Sequence, residues 1–205
     1  MTVIRSRVTG PATDHLFTIE ECRAQCEVVP IDVDSDGEGT HPDDDLLLAY
    51  LDAAVEAAEN FLGLSLAVRT YEAALDAFPC DEISIVLPDA PFVDVLSLTY
   101  GSGSSDAGAL DVGIDYTVDD FGQFAKLVPV GKWPRGAKNI RIAYVAGYLA
   151  DSDTPGVPAA IRQAVMLTLG SWYRDREDTS VGQRFALPNG AESLLRPLRV
   201  RLGMA

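Results

Sequence analysis

The chain has 205 residues, 47 % of them hydrophobic, with 31 acidic against 16 basic side chains and a formal net charge of -15. That length supports a normal core, as one domain or as one domain carrying an inserted lobe, and the apolar content excludes global disorder. The excess of carboxylates excludes unspecific gripping of nucleic acid, which needs lysine and arginine to neutralise phosphate.

The first predicted element opens at Thr18. Thr18 and Glu21 have the S/T-x-x-E spacing of a capping box, and Ile19, Cys22 and Cys26 form one stripe, so a short helix over about 18–27 is expected. An acidic, glycine-bearing loop from Ile31 to His41 follows. The second helix, 42–62, starts at Pro42, where a missing N–H is harmless, and Asp43, Asp44 and Asp45 set negative charge beside the positive end of its dipole. Leu47, Leu51, Ala54, Val55, Ala58, Phe61 and Leu62 recur by three and four, Asp52, Glu56, Glu59 and Asn60 take the opposite face, and Gly63 supplies the stop.

From Val68 the period changes. Val68–Phe78, Glu82–Leu87, Val93–Tyr100, Tyr116–Val118, Phe124–Val128 and Ile140–Val145 are short, rich in β-branched or aromatic residues, and divided by Pro, Gly, Asp and Ser clusters. Six such strands predict an antiparallel sandwich or small barrel, with Gly101–Gly108 as a hairpin tip. A third helix, 158–175, is marked by Ile161, Val165, Leu169 and Trp172. Residues 177–189 carry no pattern and read as extended, and Leu194, Leu195, Leu198 and Leu202 suggest a last short helix that Pro197 kinks or delays. The predicted class is α+β: a helical core (1–67 and 150–176), an inserted β-sandwich-like lobe (68–149) and an extended C-terminal arm (177–205).

No apolar run approaches membrane-spanning length, and Arg5 and Arg7 precede no apolar signal stretch, so a soluble cytosolic product is expected. Three cysteines, Cys22, Cys26 and Cys80, are too sparse for a disulfide framework, and Cys22 with Cys26 reads as core-facing rather than redox or metal-binding.

Few residues suggest chemistry. Asp32, Asp34, Asp36, Gly37 and Asp43 match the D-x-D-x-D-G loop of a calcium-binding EF-hand, with a carboxylate at the twelfth position. Gly39 at the eighth position, Pro42 at the eleventh and the short Asp43 depart from that pattern, and the plainer reading is a solvated acidic loop feeding a helix. No metal or cofactor is therefore assigned. His15 and His41 have no nucleophile or zinc companion in the pattern, and no P-loop, G-x-S-x-G, H-E-x-x-H or C-x-x-C occurs. Trp133, Tyr144, Tyr148, Trp172 and Tyr173 lack interleaved basic residues and read as packing rather than as a base-stacking platform.

Charge is uneven. From residue 174 onward six arginines face four acids, a local +2, so the preceding 173 residues carry -17. Arg196, Arg199 and Arg201 alternate with leucines, which suits an amphipathic segment docking on an acidic partner with an apolar groove. The competing reading is a loosely folded terminus with snorkelling arginines. Candidate partner-binding residues are Arg174, Arg176, Arg184, Phe185, Leu194, Leu195, Arg196, Leu198, Arg199 and Arg201. Removing residues 184–205 is expected to abolish binding while sparing the fold.

Taken in order, a set of landmarks over Thr18 to Arg176 resembles the head-tail connector (adaptor, head-completion) proteins of tailed bacteriophages and gene transfer agents. They are the capped helix from Thr18, Asp43-Asp44-Asp45 with Ala57-Ala58-Glu59, Phe78-Pro79, Leu87-Pro88 with Pro91, Val95, Leu98 and Tyr100, and Asp115-Tyr116. Trp133-Pro134, Tyr144-Val145-Ala146-Gly147-Tyr148, Val157-Pro158 and Trp172-Tyr173 before Arg176-Glu177 complete the set. The Ile31–His41 loop is longer than the family pattern, and the tail beyond Glu177 does not align with it.

The resemblance implies no enzymatic activity. It implies a virion protein, made in the bacterial host cytoplasm, that forms a ring of twelve copies under the portal protein and receives the next head-completion or tail protein below. DNA would pass the channel without specific binding, and acidic residues of the long helix or the sandwich loops are expected to line it, because carboxylates repel the phosphate backbone. The arm would reach toward the portal. Two alternatives remain from the residues: a carboxylate- or calcium-dependent hydrolase using Asp32 to Asp43, and a tail-associated carbohydrate-binding β-sandwich.

Overall fold

The computed structural model describes residues 4–10, 16–33, 39–80, 82–101, 107–149, 156–175 and 187–200. In chain order its elements are β1 (Arg5–Val8), α1 (Ile19–Cys26), β2 (Asp32–Val33), β3 (Gly39–Thr40), α2 (Asp44–Leu62) and β4 (Arg69–Ala77). There follow β5 (Ile85–Val86), β6 (Phe92–Tyr100), β7 (Gly108–Leu110), β8 (Tyr116–Asp119), β9 (Lys126–Pro129), β10 (Lys138–Ala146), α3 (Ala159–Arg174), α4 (Asn189–Leu195) and a 3-10 turn (Arg196–Leu198). The class is α+β, and the chain divides into two compact units: Met1–Asp14 with Leu64–Thr154, and His15–Gly63 with Pro155–Ala205.

In the first unit a five-stranded sheet of order β1-β4-β10-β6-β7 and a three-stranded sheet of order β5-β9-β8 share one buried core. Every neighbouring pair of these strands is antiparallel. The period of two is plain in β10, where Ile140, Ile142, Tyr144 and Ala146 point inward, and in β4, where Tyr71, Ala73 and Leu75 do. In β6 the buried residues Val95 and Leu98 are three apart. The register explains it: Ile142 faces Leu98 while Tyr144 faces Val95, so β6 holds one extra residue there and Leu96 is turned out to solvent.

Tyr71 stacks on Tyr144 with ring centroids 5.8 Å apart, and Trp133 stacks on Phe78 at 4.9 Å while its indole N–H donates to the Ile83 carbonyl at 2.8 Å. That hydrogen bond satisfies the polar edge that the buried Trp133 carries inward. The Tyr144 hydroxyl donates to Asp89, and burial followed by this carboxylate pushes the phenol pKa up.

The helical unit begins with the capping box: the Thr18 hydroxyl accepts from the Glu21 N–H, and the Glu21 carboxylate accepts from the Thr18 N–H. α2 buries Leu47, Leu51, Ala54, Val55, Ala58 and Leu62, and α3 buries Ile161, Ala164, Val165, Met166, Thr168 and Leu169. Gly63 closes α2 in the left-handed conformation, its N–H donating to the Glu59 carbonyl at 2.8 Å. Arg162 ties Leu16 and Glu21 to α3, and its guanidinium lies 4.4 Å over the Phe17 ring.

Three features differ from the sequence expectation. Residues 5–8, which showed no strand pattern, form β1 along the edge of the larger sheet: all four side chains are exposed, so no hydrophobic alternation marks the strand, and backbone pairing with β4 holds it, with Arg7 also bridging to Glu72. Residues 187–200 are no extended arm: Leu187, Ala191, Leu195 and Val200 are buried, and the Val200 N–H donates to the Leu62 carbonyl at 2.8 Å. The last helix is also earlier than the leucines suggested, ending at Leu195 where Arg196-Pro197-Leu198 tightens into the 3-10 turn. The two-residue strands β2 and β3 pair as a hairpin inside the Ile31–His41 loop.

Candidate partner-binding surface

The C-terminal segment is amphipathic, and the helical unit itself takes its apolar half. Leu187, Ala191 and Leu195 recur every four residues and turn inward. Leu195, expected to meet a partner, is wholly buried and belongs to this core. Leu194 is half-buried.

What remains outside is one turn. Arg196, Leu198 and Arg199 are exposed together after Leu195. Arg196 bridges to Glu192 at 2.7 Å across one helical turn, and the Arg199 guanidinium sits 5.2 Å from the Phe61 ring centroid. Both contacts stay wet, so they orient the arginines more than they stabilise the fold. Arg174 is the exposed last residue of α3. It lies near Cys26, whose thiol burial pushes up and the Arg174 charge pulls down. Arg176, Arg184, Phe185 and Arg201 lie outside the described residues.

The calcium-loop residues divide in the same way. Asp34, Asp36 and Gly37 are outside the described residues, and the backbone of Asp32 pairs with Thr40. Asp43 accepts a hydrogen bond from the Tyr173 hydroxyl at 2.7 Å, and its own N–H donates to His41 Nδ1 at 3.0 Å. His41 thus works inside the turn that leads into α2. His15 is outside the described residues. Among the described residues no group of three His, Cys, Asp or Glu side chains is placed to hold a metal ion, and no helix is long and apolar enough to cross a membrane.

Two charged arrangements escaped the sequence reading. Arg23 and Asp44 form a bidentate pair at 2.8 and 2.6 Å, and Asp44 also accepts from the His41 N–H at 2.8 Å. The Arg23 hydrogen bond, helped by His41, holds the Asp44 carboxyl down at about 2. Nothing in spacing reveals a pair that joins α1 to the first turn of α2. On the outer face of the larger sheet Glu72 sits between Arg7 at 3.1 Å and Arg141 at 2.6 Å, and these guanidinium groups lower its pKa.

No family model matches this chain, and no curated protein matches it. Solved structures do. A chain in the neck of an empty GTA particle computed with C6 symmetry superposes with a TM-score of 0.72 at 23 % identity, covering 98 % of each chain. The fold is that of a gene transfer agent neck chain. A chain of the virion of the native gene transfer agent (GTA) particle gives a TM-score of 0.70 at 22 % identity over 97 % of this chain and 98 % of its own. A chain of the native GTA neck computed with C12 symmetry gives 0.66 at 22 % identity over 98 % of both. The likeness covers nearly the whole of each chain, so it is a likeness of the complete fold and not of one unit alone.

Proposed function

We propose that this chain is a non-enzymatic structural subunit of a virion neck: a head-tail adaptor that forms a ring under the portal of a tailed phage or gene transfer agent and links capsid to tail. The observation that carries the reading is the end-to-end fold match, 98 % of each chain at a TM-score of 0.72, with a chain in a gene transfer agent neck. The C6 and C12 symmetries of the matched necks support a ring of copies, twelve in the simplest case. The ordered sequence landmarks from Thr18 to Arg176 point the same way independently of the fold.

In this reading the working surfaces are interfaces. Arg196, Leu198 and Arg199 form the described part of the portal-facing surface, with Arg174, and with Arg176, Arg184, Phe185 and Arg201 from the remaining chain. A cationic turn on an acidic protein offers directional attraction to an acidic partner without making the whole molecule adhesive. The exposed acids of α2, Asp52 and Glu56, are four residues apart on one face and are candidates for the lining of the DNA channel.

Electron microscopy of particles carrying a tagged copy of this chain tests the role. Density for the tag at the neck, between portal and tail, is the expected result. Density on the capsid shell or the distal tail would overturn it. A pull-down with the portal protein tests the surface: Arg196→Glu with Arg199→Glu should abolish capture while the melting temperature stays within a few degrees, because both side chains are exposed. Undiminished capture would remove this turn from the interface.

A further inference from the structure

We propose that the β unit carries a matched knob and socket through which one copy of this chain binds the next: Phe121, at the tip of the β8–β9 hairpin, inserts into the groove between Phe78 and Pro134 of a neighbouring copy. Phe121 is 101 % exposed, the extreme among the large apolar side chains described. It sits between Asp120 and Gly122, at a tip where the Phe121 N–H donates to the Asp119 carboxylate at 3.3 Å. A phenylalanine held out on a hairpin tip, with its polar neighbours already organised, contributes nothing to its own core. A single exposed ring is not by itself an interface, and it becomes an anchor where a fitting pocket receives it.

The socket is in the same unit. A groove of about 360 Å³ is walled by Phe78, Pro79, Trp133 and Pro134, and Arg135 and Lys138 also line it. The stacked Phe78 and Trp133 rings, with centroids 4.9 Å apart and planes at 5°, make it flat and rigid. The space accepts one aromatic ring, and an anchor that meets a pre-organised pocket loses little further entropy on binding.

Charge selects the occupant. The knob is Asp119-Asp120-Phe121, acid beside aromatic, and the socket offers aromatic and proline walls with two cationic groups. Insertion brings the acids toward Arg135 and Lys138, an arrangement that favours this pairing and disfavours contact between two knobs or two sockets. Since the Phe121 ring is fully in solvent, it does not fill the groove of its own chain. Knob and socket are different patches, so the contact is heterologous, the type that closes into a ring when the rotation between copies permits. Ring closure rests on the neck reading above, whereas the pairing of two copies does not.

Cys80, exposed and also lining the groove, provides the test. A chain carrying Gly122→Cys and Cys80→Ser, which keeps the Phe121 ring and places a thiol beside it at an exposed position with room for a Cβ, is mixed with the unaltered chain under mild oxidation, both as concentrated purified protein and within assembled neck particles. A disulfide-linked pair that disappears when the second chain carries Cys80→Ala is the expected result. A chain carrying Gly122→Cys with Cys80 intact should yield a ladder of linked copies. Phe121→Asp should weaken self-association roughly 30-fold, as loss of an interface anchor does, with unchanged thermal unfolding. Cross-linking no stronger than from Ile114→Cys, an exposed site away from the tip, in both preparations overturns the contact and leaves the neck role standing. A product that stops at a doubly linked dimer overturns the head-to-tail arrangement.

Discussion

Replacing Gly147 by alanine should be among the most damaging single-methyl changes in the β unit. Gly147 lies just past β10 with φ +137, a conformation that L side chains rarely adopt, and that strain is worth about 1–3 kcal/mol. An added Cβ would also meet backbone on the far side of the turn: 2.6 Å from Val68 Cα, 2.7 Å from the Ala67 carbonyl carbon, and closer still to the Ala67 oxygen. Backbone cannot swing aside as a flexible side chain can. Relief therefore requires moving the turn, which strains the bonds from the Gly147 N–H to the Pro91 carbonyl at 2.8 Å and from the Tyr148 N–H to the Leu66 carbonyl at 3.3 Å. Together with that strain, overpacking of about 1–3 kcal/mol and about 1 kcal/mol for each of the two weakened hydrogen bonds bring the expected loss to roughly 4–8 kcal/mol. For a unit of roughly a hundred residues that lowers the midpoint by about 20 °C or more, readable by circular dichroism or calorimetry.

Gly136→Ala is the control. Gly136 also has positive φ, +78, but its added Cβ meets nothing within 4 Å, so only the conformational penalty of about 1–2 kcal/mol remains. A Gly147→Ala protein that melts with, or above, Gly136→Ala would refute the steric argument.

The remaining predictions concern the helical unit and the thiols. Asp44 has its folded-state pKa held at about 2, below the ordinary value, so its contribution to stability is complete above about pH 4 and fades as pH falls toward 2. Asp44→Asn should lower stability at pH 7 and flatten the acid limb of a denaturation series between those limits, whereas an unchanged limb would show that the Arg23 pair is not what acid breaks. Leu195→Ala should cost about 2–5 kcal/mol in chemical denaturation, because the side chain is fully buried. For the same reason truncation after residue 186 should destabilise the helical unit, where an unstructured arm would be removed silently. Burial, reinforced by the nearby Cys26 and the Glu21 and Glu20 charges, pushes the Cys22 thiol up to about 11, while Cys80 is exposed. A thiol reagent at pH 8 should modify Cys80 at once and Cys22 only as fast as the unit opens, and equal rates would contradict the packing of α1.

Much of the fold was legible because its signals are local. The capping box at Thr18, the three-and-four spacing of α2 and α3, and the alternation in β4 and β10 each follow from backbone geometry over a few neighbouring residues. The neck resemblance rested on the order of such turns and packing residues. Leu187, Ala191 and Leu195 have a readable four-residue spacing too, but the denser run Leu194, Leu195, Leu198 and Leu202 suggests a later helix than the one that forms. Phe121 could have been noticed as an aromatic in an Asp-Asp-Phe-Gly turn, although sequence cannot tell a displayed ring from a tucked one.

By itself the sequence determined element type, the α+β class and the absence of familiar catalytic motifs, since patterning and turn chemistry act between near neighbours. Only the tertiary structure decided which side chains were already spoken for. β1 exists because β4 offers an edge, Arg23 finds Asp44 twenty-one positions on, and half of the C-terminal amphipathic segment is spent on its own helices. Those outcomes depend on free energies shared between distant residues. No single stretch of chain encodes them.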